Sequence, residues 1–152
     1  MITWIEKPLA PAIHDRQLAE HGGGNGVRDE SLLESALARP QRMHAYGEPP
    51  ADLADLADLA DLADLAASLA HAVARNHPFV DGNKRTAHVC YRVFLALNDA
   101  RLVASDEEKY AHMLSLAEGR LSEAEFAAWL RDHLELETDG SVHESRERYR
   151  AD

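Results

Sequence analysis

The sequence of 152 residues has a single cysteine, Cys90, and it has no long hydrophobic run. One cysteine excludes an internal disulfide framework, so the expected compartment is the reducing cytoplasm. No stretch approaches the roughly 18 apolar residues of a membrane span, and no membrane association is expected. Residues 1–7 lack both a basic start and an apolar run, and therefore do not predict a signal peptide.

Positive charge is also scarce. Lys and Arg number 16 against 27 Asp and Glu, which gives a formal net charge of -11. A domain this acidic repels phosphate backbones, so general nucleic-acid binding is not expected. No Lys or Arg lies between Met43 and Ala74, where an Ala-Asp-Leu unit is repeated five times over residues 51–65.

The remaining composition and its periodicity predict a single all-α domain over residues 1–152. We expect a compact helical bundle with at most a small β-hairpin. Residues 83–97 are apolar on nearly every side, which is typical of a buried central helix. In the first third of the chain we predict a helix that ends at the glycine-rich loop 22–26, a second helix capped by Asp29 and stopped by Pro40, and a loop or short hairpin over 41–50. A long helix over about 51–76 and a turn over 77–82 follow, and later helices begin at the capping boxes Ser105/Glu108 and Ser122/Glu125. Short strands are predicted at 2–5 and 101–103, and a polar tail over 138–152.

The segment from Asn76 to Ala87 carries the chemistry. It opens the predicted buried helix, and the free N–H groups of a helix N-terminus suit an anion such as phosphate. Glycine allows the backbone to approach a ligand, Lys and Arg add charge, and an aspartate suits Mg²⁺. A histidine can take a proton from a hydroxyl. The residues that supply these groups are His77, Asp81, Gly82, Asn83, Lys84 and Arg85.

This segment resembles the signature of the Fic/Doc (Fido) family, His-Pro-Phe-x-(Asp/Glu)-Gly-Asn-Gly-Arg-x-x-Arg. The sequence departs from it at Lys84, where most Fic enzymes have Gly, and at His88, where they have the second Arg. The Asn-Lys-Arg-Thr-Ala form is similar to the Doc (death-on-curing) branch. The resemblance extends over roughly residues 9–134, through the similar segments His14-Asp15, Gly22-Gly23, Arg28-Asp29, Leu32 to Ala36 and Phe94-Leu95-x-x-Asn98.

The resemblance implies a helical bundle that binds ATP with Mg²⁺ at the signature loop. Fic enzymes transfer AMP to a protein hydroxyl, whereas Doc, the toxin of a toxin–antitoxin pair, transfers the γ-phosphate to a translation elongation factor. By this resemblance His77 is the catalytic base and Asp81 holds the metal. The phosphates are then held by Gly82, Asn83, Lys84 and Arg85.

The two departures from the signature favour phosphate transfer over AMP transfer. A Lys side chain at position 84 crowds a pocket that Gly would leave open, and His88 removes a phosphate clamp. AMP transfer and a catalytically silent Fido scaffold remain the alternatives. The inhibitory Ser/Thr-x-x-x-Glu-(Gly/Asn) motif of the family is absent, so an antitoxin is the expected partner.

Two further segments have alternative interpretations. Leucines three residues apart drift by 60° per unit around a helix, so no single face of the repeat stays apolar. We expect the extended helix to expose leucines and form a homodimer, of which exchange of elements across the helix is one form, with an insertion in a monomer as the alternative. By the resemblance, the loop 39–50 lies where family members carry a flap that pairs with a segment of the target protein; a plain connector is the alternative.

Overall fold

The structure is a computed structural model, and it describes residues 2–46 and 55–137. For residue 46 and residues 55–61 only the backbone is described. The elements in chain order are α1 (Leu9–His21), α2 (Glu30–Tyr46), α3 (Asp55–Asn76), α4 (Asn83–Leu97), β1 (Ala100–Leu102), α5 (Asp106–Ala117), α6 (Glu123–His133) and β2 (Leu134–Leu136). The prediction of an all-α bundle is confirmed. In the described part of the chain, no helix is both long and apolar enough to cross a membrane.

Helix α3 packs against α2, α4 and α6, and so shares the centre of the bundle with α4. Its residues 62–76, whose side chains are described, are rich in buried alanine, and these small side chains allow neighbouring helices to approach it closely. Leu62 and Leu65, the last two leucines of the repeat, are buried in the same core. The leucine positions shift by about 60° around the helix with each repeat unit, and this shift is tolerated because α2, α4 and α6 pack on different sides of α3. The other units of the repeat lie outside the described side chains, so the proposed dimer stays a prediction.

Helix α4 begins and ends where its apolar pattern predicted. Gly82 precedes it with φ 73°, and its buried residues include Tyr91, Phe94 and Leu95. Both predicted capping boxes are present: the side chains of Ser105 and Ser122 accept hydrogen bonds at the starts of α5 and α6. These local signals were sufficient to predict where the helices begin, because each depends on residues close in sequence.

The prediction that Pro40 ends the second helix is wrong. Helix α2 continues through it to Tyr46, so residues 41–46 are helical rather than a loop or hairpin, and residues 47–50 lie outside the described part. A proline inside a helix costs about 3 kcal/mol. Pro40 is buried where α2 packs on α3, and this packing offsets the missing backbone hydrogen bond. Nearby, Arg39 donates to Glu123 of α6 and to Ser68 of α3.

The small sheet differs from the predicted hairpin. Strands β1 and β2 pair antiparallel, but α5 and α6 separate them in sequence. The predicted strand at residues 2–5 is not formed. The Asn98 side chain takes the place of a partner strand there, because its Oδ1 accepts from Thr3 N (2.7 Å) and its Nδ2 donates to Thr3 O (2.7 Å).

Replacing Leu65 with alanine tests whether the end of the repeat belongs to the core. Leu65 is 3% exposed, and we expect Leu65→Ala to lower the free energy of unfolding by about 2–5 kcal/mol. Urea denaturation measures this change. Val103→Ala is the control, because Val103 is 44% exposed and its loss should cost at most about 0.5 kcal/mol. Equal effects of the two substitutions would place Leu65 outside the core.

Candidate active site

The signature loop, residues 77–82, connects the end of α3 to the start of α4. His77 follows the last residue of α3 and has φ 49°, in the left-handed region that often ends a helix. Arg28 stabilises this turn, since its Nε donates to His77 O (2.7 Å) and its Nη2 to Asn76 O (3.0 Å). The His77 side chain itself is exposed.

A second segment, residues 22–29, lies along the signature loop and holds its backbone. Val80 N donates to Gly26 O (3.1 Å), and Arg28 N donates to Pro78 O (2.7 Å). Val27 and Phe79 form an isolated antiparallel bridge. The glycine-rich loop and the signature loop are therefore two sides of one structure, although about fifty residues separate them in sequence.

Phe79 and Asn83 fix the loop to the core. The Phe79 ring is 1% exposed. Asn83 Oδ1 accepts from Phe79 N (3.0 Å), and its Nδ2 donates to Phe79 O (3.1 Å). Asn83 was predicted to hold phosphate, and these contacts engage both ends of its side chain. Its main-chain N–H is left as the group that a phosphate could use.

Asp81 is exposed and held in the ionised form. Its Oδ1 accepts from Gly82 N (2.8 Å) and its Oδ2 from Gly24 N (3.3 Å). These two hydrogen bonds, with a smaller contribution from the Arg85 charge, lower the pKa of the Asp81 carboxyl below its ordinary value. A hydrogen bond to a carboxylate stabilises its charged form. Asp81 is therefore available as an anionic oxygen ligand.

Gly23 allows this arrangement. A Cβ at Gly23 would lie 2.8 Å from Asp81 Oδ2 and 3.2 Å from Leu18 Cδ2, and the φ of Gly23 is 122°. The backbone conformation thus favours glycine, and a Cβ at this position would push the Asp81 carboxylate away from Gly24 N. The sequence marked the glycine-rich loop as a helix end, but nothing in it indicated that Asp81 packs against it.

The predicted site residues lie together in one open cleft of about 570 Å³. This volume is within the range of small-molecule sites. All six predicted residues line it: His77, Asp81, Gly82, Asn83, Lys84 and Arg85. The end of α1 with the loop after it, one more residue of the signature loop and one side of α5 complete the wall. Their residues were not predicted as site residues: His21, Gly22, Gly23, Val80, Tyr110 and Leu114.

The start of α4 forms the floor of this cleft. Thr86 N donates to Gly82 O in the first helical bond, so the N–H groups of residues 83–85 precede the hydrogen-bonded part of the helix. Lys84 and Arg85 are both exposed. A partial positive charge from the helix and two full charges from side chains therefore meet beside the ionised Asp81.

His88 lies in an adjoining pocket of about 370 Å³, whose walls include Arg85, Arg92 and Tyr110. Burial is the largest cause that lowers the pKa of His88 to about 4, and the charges of Arg92 and Lys109 add to it. Imidazole is therefore neutral here at pH 7. The position that carries the second arginine of the family signature has no charge in this chain.

The fold and the site together define an all-α protein with a cleft at the N-terminus of a buried helix, bordered by a histidine, an aspartate and two basic side chains. The sequence profile of the Fic/DOC family matches residues 4–95, and the chain belongs to this family. It is 42% identical over 83 residues to the Toxin Doc of Mycolicibacterium smegmatis, covering 55% of this chain and 57% of that protein. It is 32% identical over 96 residues to the Protein kinase doc of Escherichia phage P1, covering 63% of this chain and 68% of that protein. These relatives confirm the resemblance to the Doc branch.

Replacing Gly23 with alanine should displace Asp81. Gly23→Ala places a methyl group 2.8 Å from Asp81 Oδ2, so the contact with Gly24 N is lost as well as the favourable backbone. Gly26→Ala is the matched control, because Gly26 has φ 96° and nothing within 4 Å of the added Cβ. In urea denaturation we expect Gly23→Ala to lower the free energy of unfolding more than Gly26→Ala does. A smaller effect of Gly23→Ala would contradict the packing of Asp81 on this loop.

The lowered pKa of His88 predicts a pH effect on stability. The unfolded chain binds this proton below about pH 6.5 and the folded chain only near pH 4. Acidification through this interval therefore favours unfolding, and His88→Gln should make the free energy of unfolding less dependent on pH there. Asp106 opposes the shift and remains in both proteins. The Cε1 proton resonance of His88 should keep its neutral position down to about pH 5; a midpoint near 6.5 would refute the assignment.

Proposed function

We propose that this protein transfers a phosphate from ATP to a hydroxyl of a target protein. The observation that carries the proposal is the meeting of His77, Asp81, Lys84 and Arg85 in one cleft at the start of α4. Phosphate transfer depends mainly on positioning and electrostatic stabilisation, and the cleft offers both.

Phosphate groups would lie against the start of α4. The N–H groups of residues 83–85 point their positive ends toward the ligand, and Arg85 can bind two phosphate oxygens at once. Lys84 supplies a charge without fixed geometry. Because the helix holds its N–H groups in place, they need little reorganisation when charge develops on the transferred group.

The residues also fit Mg²⁺. Among residues 2–46 and 55–137, no group of three or more histidine, cysteine and acidic side chains could hold a metal alone. Mg²⁺ commonly uses one or two carboxylates together with substrate phosphates and water, which suits a single ionised Asp81. When bound, the ion would be held by Asp81 and would neutralise part of the phosphate charge.

His77 is the proposed base. Its side chain is exposed at the wall of the cleft, next to Asp81 and the start of α4. A neutral imidazole can accept the proton of a target hydroxyl as that oxygen forms a bond to the γ-phosphorus, while the bond from this phosphorus to ADP breaks and ADP leaves. The hydrogen bonds from Arg28 to the backbone at residues 76 and 77 hold the turn in place, which keeps the ring near the transferred group.

Two features favour phosphate transfer over AMP transfer. Lys84 occupies the place of a family glycine and narrows the pocket beside the helix start. His88 stands where the family signature has its second arginine, and because His88 is neutral at pH 7 it does not supply the positive charge of that arginine. One relative is also named a protein kinase. AMP transfer and a silent scaffold remain the alternatives, although the intact His77 and Asp81 oppose a scaffold.

The name of the M. smegmatis relative, Toxin Doc, supports a role as a toxin. We extend the proposal to a translation elongation factor as the target and to an antitoxin as the inhibitory partner. We also retain a homodimer through the repeat-extended helix. Sizing of variants with fewer Ala-Asp-Leu units would test the dimer, because an unchanged oligomeric state at every length excludes the role of the repeat.

Labelled ATP distinguishes the three functions. The protein is incubated with Mg²⁺, cell extract and ATP labelled at either the α- or the γ-phosphate. We expect label on protein from the γ position alone, and a loss of about a hundredfold or more in His77→Ala. His44→Ala is the control, because His44 is also an exposed histidine but lies at the far end of α2.

Each other outcome selects a different conclusion. Label from the α position would mean AMP transfer. Absence of label from both positions, with His77→Ala identical to the wild type, would support the scaffold. A loss in His44→Ala equal to that in His77→Ala would remove His77 from its proposed role.

A further inference from the structure

Three hydrogen bonds hold Asp81, and one of them comes from a distant helix. Gly82 N and Gly24 N donate to its carboxylate, as described above. The third bond joins its main-chain oxygen to Nε2 of His14, at 2.7 Å. A carbonyl oxygen can only accept, so Nε2 carries the hydrogen and donates it. Of the three donors, His14 is the one that belongs to a side chain.

The His14 ring is held in a fixed orientation. It is 1% exposed and stacks on Phe79, with ring centroids 4.1 Å apart and an interplanar angle of 7°. Phe79 is itself fixed by Asn83. Because a buried ring nitrogen without a partner is costly, the stack and the bond to Asp81 support each other.

The bond to His14 determines the orientation of the peptide between Asp81 and Gly82. In a planar trans peptide the carbonyl and the following N–H point in opposite directions. His14 draws the Asp81 carbonyl inward, toward α1, and the Gly82 N–H therefore points outward. That N–H donates to Asp81 Oδ1 at 2.8 Å. The orientation of one peptide thus couples a buried histidine to an exposed carboxylate.

We propose that His14 is a positioning residue, which fixes the Asp81–Gly82 peptide and thereby the direction in which the Asp81 carboxylate meets a divalent cation bound with the nucleotide. This role rests on the proposed function for the identity of the ligand. The effect on the loop itself does not, because the peptide and the carboxylate are coupled in the ligand-free protein.

Two substitutions of His14 distinguish the effect of its N–H donor from the effect of its stacked ring. His14→Phe keeps a flat ring against Phe79 but removes the N–H. His14→Gln loses the ring but places an amide N–H near the position of Nε2. His14→Met is a second donor-free variant, which serves if His14→Phe does not fold. The control is His112→Phe, because His112 also stacks on an aromatic ring (Trp129, 3.9 Å) and bonds a backbone carbonyl (2.8 Å), but it does not line the cleft.

The first measurement uses the ligand-free protein. Amide hydrogen exchange by NMR reports on Gly82 and Gly24, whose N–H groups hold the carboxylate. In His14→Phe or His14→Met we expect both amides to exchange about tenfold faster, and in His14→Gln and His112→Phe to stay near the wild-type rate. Unchanged exchange in the folded donor-free variants would overturn the proposal, as would equal acceleration in His14→Gln.

The second measurement is the affinity for ATP by calorimetry, with Mg²⁺ and with EDTA. The donor-free variants should lose about tenfold or more of the affinity in Mg²⁺ and little in EDTA, since the cation is the group that Asp81 meets. Equal losses in both conditions would overturn the role toward the cation. A wild-type protein that binds no ATP in either condition would refute the proposed function, while amide exchange would still decide the role of His14 in the loop.

Discussion

The anchoring of Phe79 is the constraint on which the cleft depends. Its ring is buried under His14, and both polar groups of its backbone are bound by the Asn83 side chain. Phe79 is in the middle of the signature loop, so its burial fixes the backbone that holds the exposed residues on either side of it, His77 and Asp81. A loop without this anchor would have to order itself around each ligand, at a cost in conformational entropy.

This anchor explains why the site uses two kinds of residue for different purposes. The side chain of Asn83 is part of the support, whereas Lys84 and Arg85, the next two residues, are exposed at the cleft. A motif match alone cannot distinguish these roles, because all three residues belong to the same signature. The acidity of the whole chain is equally uninformative about the cleft, where a helix start and two cations make the local potential positive.

The sequence predicted what depends on neighbours and failed where distant residues decide. The bounds of α4 and both capping boxes follow from residues within a few positions, and they were correct. The hydrogen bonds from His14 to Asp81 and from Arg28 to His77 join residues 67 and 49 positions apart, and no local pattern reveals such partners. The prediction that Pro40 ends the second helix was wrong for the same reason, because the packing of α2 on α3 outweighs the local preference of proline against helix.

The position of the repeat limits where it can vary. From Leu62 onward most side chains of α3 are buried among neighbouring helices, and the helix leads without a break into the signature loop. A unit inserted between Leu65 and the end of α3 would rotate the following residues by about 300° and advance them by about 4.5 Å, which would move the anchored loop. A unit added before Leu62 leaves this register unchanged. The signature loop therefore constrains the C-terminal end of α3, and changes in repeat number are compatible with the cleft only on the N-terminal side.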